Sequence, residues 1–110
     1  MDIKQLLELT SRRNASDLHL LVGYPPMIRI DGVLQPVSQE GPLTPETIET
    51  LVYAVLTNEQ KDLFLANKEL DFSYALGEAR FRINVYLQRT SIAAAFRYLP
   101  QKIRTIEELS

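Results

Sequence analysis

Four arginines, Arg80, Arg82, Arg89 and Arg97, fall within the stretch EARFRINVYLQRTSIAAAFR, and no acid occurs between Glu78 and Glu107. A guanidinium group is a planar fork that matches the oxygens of a phosphate, and two that converge make an anion site. Whether these converge is a question of strand parity. If the first half of the stretch is a strand, Phe81, Ile83, Val85 and Leu87 share one face, and Arg80, Arg82, Asn84, Tyr86 and Gln88 share the other. In a second strand Ile92, Ala94, Phe96 and Tyr98 join the apolar face and Arg97 the polar one. A loop centred on Arg89-Thr90 then sets Leu87 against Ile92, Ile83 against Phe96 and Arg82 against Arg97. A slip by one residue would place apolar side chains against polar ones, so the register is well specified. Arg89-Thr90 is poor type I′ chemistry, and a longer loop in the same register is expected.

Two arginines directly opposite each other repel. Asp71, on the polar face of the preceding strand, is placed to relieve one of them. The residues alone leave two readings: a solvated face carrying an Arg–Asp pair, and an anion site built from Arg82 and Arg97.

His19 is the only histidine, and Asp17 lies two residues before it on the same side of an alternating segment, SDLHLLV. The two can hydrogen-bond, but with Ser16 they make no triad, because nothing supplies an oxyanion hole or an activated nucleophile. With no second histidine and no cysteine, a metal site of those ligands is excluded. Asp17 and His19 are expected to be structural or interface residues. The glycines are Gly23, Gly32, Gly41 and Gly77, and none precedes Lys-Ser or Lys-Thr. There is neither a P-loop nor a G-x-G-x-x-G. The chain is therefore expected to have no catalytic residue of its own and to hold no cofactor unaided.

The elements that must position these residues can be read from caps and periodicity. MDIKQLLELTSRRN is an amphipathic helix with Asp2 and Gln5 as a capping box, Ile3, Leu6, Leu7 and Leu9 as its stripe, and Asn14 to end it. MIRIDGVLQPV is a hairpin about Asp31-Gly32, with Ile28 and Ile30 on one face and Arg29 on the other. LTPETIETLVYAVL is a helix with Thr44 as N-cap and Pro45 at its first position. TNEQKDLFLANKE is another, boxed by Thr57 and Gln60, and LDFSYAL is a strand before the Gly77 turn. The order helix, three strands, two helices, three strands predicts an α+β domain: an antiparallel sheet with helices packed on one face. RTIEELS at the end is a further helix start, with Thr105 as N-cap and Glu108 at N3, which predicts a piece of a longer polypeptide.

The chain has 110 residues, 45% of them apolar and 24% charged, the composition of one globular domain with a single core. Six basic residues and no acids lie between Arg80 and Arg104, so a net charge of −2 leaves −8 on the remainder. A basic patch on an acidic body points to a local anionic partner and away from a general nucleic-acid binder. The N-terminus has no signal-peptide pattern, apolar runs are far too short to span a membrane, and the absence of cysteine fits a reducing compartment.

ASDLHLLVGYPPMIRIDGVL closely resembles the start of the type IV pilus retraction ATPases, the PilT-type branch of the secretion ATPases. The family pattern A-S-D-L-H-L, then G-x-P-P-x-x-R-x-D-G, is continued by LDFSYALGEARFRINVYLQR…AFRYLP and by IRTIEEL. Tyr86 departs from the usual Phe, and Thr90 stands where Gly often follows Gln-Arg. The resemblance implies a PAS-like N-terminal domain over residues 1–100. Residues 101–110 would then begin the linker to a RecA-like ATPase domain. It further implies a cytoplasmic homohexamer at the inner-membrane base of the pilus machine, using ATP and Mg2+ to retract pili for twitching motility. The domain would pack on the RecA-like domains of its own and neighbouring subunits and contact the platform machinery. Arg82 and Arg97 match the arginines that reach the nucleotide phosphates, with Arg80 and Arg89 as weaker candidates. Two rivals are a free-standing PAS-like sensor of a small ligand, which needs a roomy core pocket, and a strand-face RNA binder, which needs more surface aromatics.

Overall fold

Local sequence chemistry sets the ends of each helix. In the computed structural model, which describes residues 1–37 and 41–100, the first helix α1 runs Ile3–Arg12. Asp2 accepts from the Gln5 amide at 2.8 Å while the Gln5 side chain accepts from the Asp2 amide at 2.9 Å, closing the expected capping box. Asn14 ends the helix at φ 53°, a left-handed conformation that Asn tolerates. Helix α2 (Pro45–Tyr53) starts on Thr44, and helix α3 (Asn58–Asn67) starts on the Thr57–Gln60 box. Helix α2 stops at Tyr53, short of the Leu56 that the apolar stripe suggests. Val55 is buried all the same, carried inward by the turn that follows. Stripe periodicity reports burial, and burial outlasts the helix here.

Six strands form one antiparallel sheet: β1 Asp17–Leu20, β2 Met27–Ile30, β3 Val33–Pro36, β4 Glu69–Leu76, β5 Ala79–Gln88 and β6 Ser91–Leu99. Their order is β3-β2-β1-β6-β5-β4, so the first and last strands of the chain meet at the centre. The helices lie on one face, and the fold is α+β with a PAS-like open sheet, as expected.

The parity reading holds in full. Leu87 pairs with Ile92, Ile83 with Phe96 and Arg82 with Arg97. Phe81, Ile83, Val85, Ala94 and Phe96 are completely buried, joined across the sheet by Leu18, Leu20 and Ile28 and covered by Leu6, Leu7, Ile48 and Val52. Each large apolar side chain so buried contributes roughly 1.5–3 kcal/mol. Thr10 is buried with this group; its hydroxyl donates to the Leu6 carbonyl at 2.7 Å, so no polar atom is stranded.

One expectation is overturned. The β5–β6 connection is a two-residue turn and not a longer loop: Gln88 pairs with Ser91, and Arg89 and Thr90 take φ of 54° and 68°. Both central residues are left-handed, as a type I′ turn requires. The long apolar register of the flanking strands dictates a tight reversal, and it overrides the preference of a β-branched residue against positive φ. At Asp31-Gly32 the same geometry, φ 51° and 81°, falls on residues that suit it. The expected helix start at Thr105 and the expected start of a linker over residues 101–110, Lys102 and Arg104 among them, lie outside the described residues.

Candidate anion-binding face

The face of the sheet away from the helices carries the polar residues, and strand order brings them into rows. One row, read by successive Cα partners, is Arg29–Asp17–Arg97–Arg82–Ser73, drawn from β2, β1, β6, β5 and β4. The row beside it is Met27–His19–Ala95–Asn84–Asp71. Adjacent strands lie about 4.8 Å apart, so Arg97 and Arg82, Cα partners on neighbouring strands, sit within reach of one bound ion. The small Ala95 between His19 and Asn84 leaves a depression. The resulting cleft, about 870 Å³, is lined by Asp17, His19, Asp71, Arg82, Asn84 and Arg97 among others.

Asp17 is the best-connected group. It accepts hydrogen bonds at Oδ1 from the Ser16 hydroxyl and at Oδ2 from the His19 ring at Nε2, and Arg29 Nε lies 3.6 Å from Oδ1. Partial burial pushes its carboxyl up, but the Ser16 and His19 hydrogen bonds and the charges of His19 and Arg29 outweigh this and hold it below the ordinary aspartate value. Among the described residues the His19 ring hydrogen-bonds to Asp17 and to no hydroxyl or thiol, so the pair orients side chains and offers no nucleophile.

Arg82 and Arg97, Cα partners, are treated differently. Arg82 Nε donates to Asp71 Oδ1 at 2.8 Å, an exposed pair reaching diagonally across β4 and β5. Arg97 has no carboxylate within ion-pair distance among the described residues, although Asp17 is its Cα partner on the other side. Arg80, two residues from Arg82 on the same face, pairs with Leu99 and Ala75 and is also exposed. Arg89 stands apart: it forms the hairpin tip, seven residues and about 23 Å of strand from Arg82. Sequence reasoning named Arg82, Arg97, Asp17, His19 and Asp71 as residues to watch, but it missed Arg29 as the partner of Asp17. The side of its strand on which Arg29 lay was legible; the neighbouring strand was not.

Among the described residues no group of three or more His, Asp or Glu is placed to hold a metal ion, and no helix is long and apolar enough to cross a membrane. The arrangement offers exposed guanidinium donors in a cleft and no group to activate a nucleophile.

No protein-family model matches the chain. Among curated proteins it is 41% identical over 110 residues to the type IV pilus retraction ATPase PilT of Pseudomonas aeruginosa, covering 99% of this chain and 32% of that protein. It is 34% identical over 110 residues to the type IV pilus ATPase PilU of the same organism, covering 99% of this chain and 28% of the relative. It is 33% identical over 85 residues to a twitching motility protein of Neisseria gonorrhoeae, covering 76% of this chain and 22% of that one. Among solved structures, that of the pilus retraction motor PilT with bound ADP superposes with a TM-score of 0.85 at 37% identity, over 98% of this chain and 32% of the other. The ATPase DotB of Legionella pneumophila, at 21% identity and a TM-score of 0.74 over 93% of this chain and 30% of that one, shares the fold. The chain thus spans about a third or less of the length of the proteins it matches. Agreement in sequence and in backbone along nearly the whole chain places it in the PilT-type secretion ATPase family, as the N-terminal domain of such a protein.

Proposed function

We propose that this domain is the regulatory and interface part of a hexameric, ATP-driven pilus retraction motor, and that Arg82 and Arg97 contact the phosphates of a nucleotide held by a RecA-like domain. Two of the relatives are named as type IV pilus ATPases and a third as a twitching motility protein, and the PilT structure carries ADP. The observation that carries the phosphate role is the pairing of Arg82 with Arg97 on an exposed sheet face, where two like charges repel unless an anion sits between them. Guanidinium forks fit phosphate oxygens, and they stabilise charge that develops during phosphoryl transfer. Mg2+ would be held with the nucleotide in the RecA-like domain; among the described residues no group of three or more His, Asp or Glu is placed to hold a metal ion. Asp17 and His19 serve the interface by holding Arg29 and the centre of the sheet in place. The working location is the cytoplasmic base of the pilus machine, with the platform proteins and neighbouring subunits as partners.

The test is steady-state ATP hydrolysis by the full-length protein. Arg82→Ala and Arg97→Ala are each expected to lower turnover about 100-fold, the usual cost of removing a charge-stabilising donor. Normal hydrolysis by both variants would refute the phosphate role.

A further inference from the structure

Resting on that reading of the arginine pair, a further property of the site follows from Asp71. Arg82 is already neutralised, by Asp71 at 2.8 Å; Arg97 is not, because Asp17 is committed to Ser16, His19 and Arg29. An anion entering the cleft therefore meets one available guanidinium and one that must be taken from a carboxylate.

We propose that Asp71 is a competing counter-ion that positions Arg82 and sets the charge an incoming anion must carry: a phosphate monoester dianion displaces it and engages both arginines, while a monoanion is held by Arg97 alone. The side chains of Arg82 and Asp71 are 56% and 50% exposed, so water replaces the lost contact and the exchange costs little. A dianion gains more from Arg82 than a single carboxylate does, and it also neutralises Arg97, which Asp71, bound to Arg82 from the β4 side, does not reach. A phosphodiester, a monoanion, has no such advantage over Asp71. The site thus discriminates a terminal phosphate from an internal one by charge. When the terminal phosphate leaves, Arg82 has a partner waiting.

The experiment is an NMR titration of the 110-residue chain with methyl phosphate and with dimethyl phosphate at pH 7.5, following the arginine Nε–H resonances. Methyl phosphate is expected to shift both Arg82 and Arg97, and dimethyl phosphate to bind more weakly and shift Arg97 alone. Asp71→Asn is expected to tighten dimethyl phosphate two- to fivefold, the scale of one exposed ion pair, and to bring Arg82 into its response. The gain should vanish when Arg82→Ala is added. Unchanged binding in Asp71→Asn overturns the proposal, and so does an equal gain in the Arg82→Ala background, which would mean general repulsion by Asp71. Failure of both probes to bind either wild type or Asp71→Asn overturns it too. If methyl phosphate binds but ignores Arg82→Ala and Arg97→Ala, the underlying phosphate reading falls instead; if both variants weaken it and Asp71→Asn does nothing, only this inference falls.

Discussion

Asp17 lies directly across the sheet from Arg97, as its Cα partner, and does not neutralise it. Its carboxylate is engaged by Ser16, by His19 and by Arg29 from the other neighbouring strand. Arg97 is left with Arg82 on its far side and no acid of its own among the described residues. The imbalance lies in the strand order, since β1 alone separates two arginine-bearing strands and carries one acid in that row.

That imbalance gives Arg97 a stability signature opposite to the one its proposed phosphate role would give. Arg97→Gln removes one of two facing like charges, so the isolated chain should gain a few tenths of a kcal/mol, about the value of one exposed cross-strand pair. Urea unfolding at low ionic strength measures it, and added salt should erase the gain. A clear loss of stability would mean that Arg97 has a structural partner.

Asp17 predicts the acid limb of stability. Its folded carboxyl sits below the ordinary value: burial raises it, and the Ser16 and His19 hydrogen bonds with the His19 and Arg29 charges more than compensate. A group depressed on folding stabilises above its unfolded pKa, about 3.9, and that stabilisation is lost as pH falls through the lower folded value. Asp17→Asn should therefore be less stable than wild type at neutral pH, with the difference shrinking from about pH 4 downward. Thermal midpoints across pH 2–7 check this; a constant difference would assign the effect to packing.

The β5–β6 turn predicts a stabilising change. Thr90 holds φ 68°, where a β-branched residue is strained, and glycine is free to adopt it. Thr90→Gly should stabilise the chain by about 1 kcal/mol and leave the Arg82–Arg97 register intact. Denaturant unfolding reads the first, and cross-strand NOEs between residues 83 and 96 read the second. A destabilised variant would mean that the turn is held by the Thr90 side chain.

Much of the domain was legible locally. The Asp2–Gln5 and Thr57–Gln60 boxes, the Thr44-Pro45 start and the Asp31-Gly32 turn each depend on residues within four positions of one another. The facing of Arg82 and Arg97 was also available from sequence, because a two-period pattern on two adjacent strands sets apolar residues opposite apolar ones in one register. The reach of Asp71 to Arg82 followed from the same parity one strand further out. What sequence determined, then, was the register of each hairpin and the start of each helix. The tertiary structure alone decided that β1 inserts beside β6, which set Asp17 between Arg29 and Arg97. It also decided that Arg89-Thr90 closes in two residues against its own preference, and that Arg89 is held away from the arginine pair. Pairing between strands some 75 residues apart is governed by the burial of a shared core, in which Leu18 meets Phe96. That global sum is not written in any local motif.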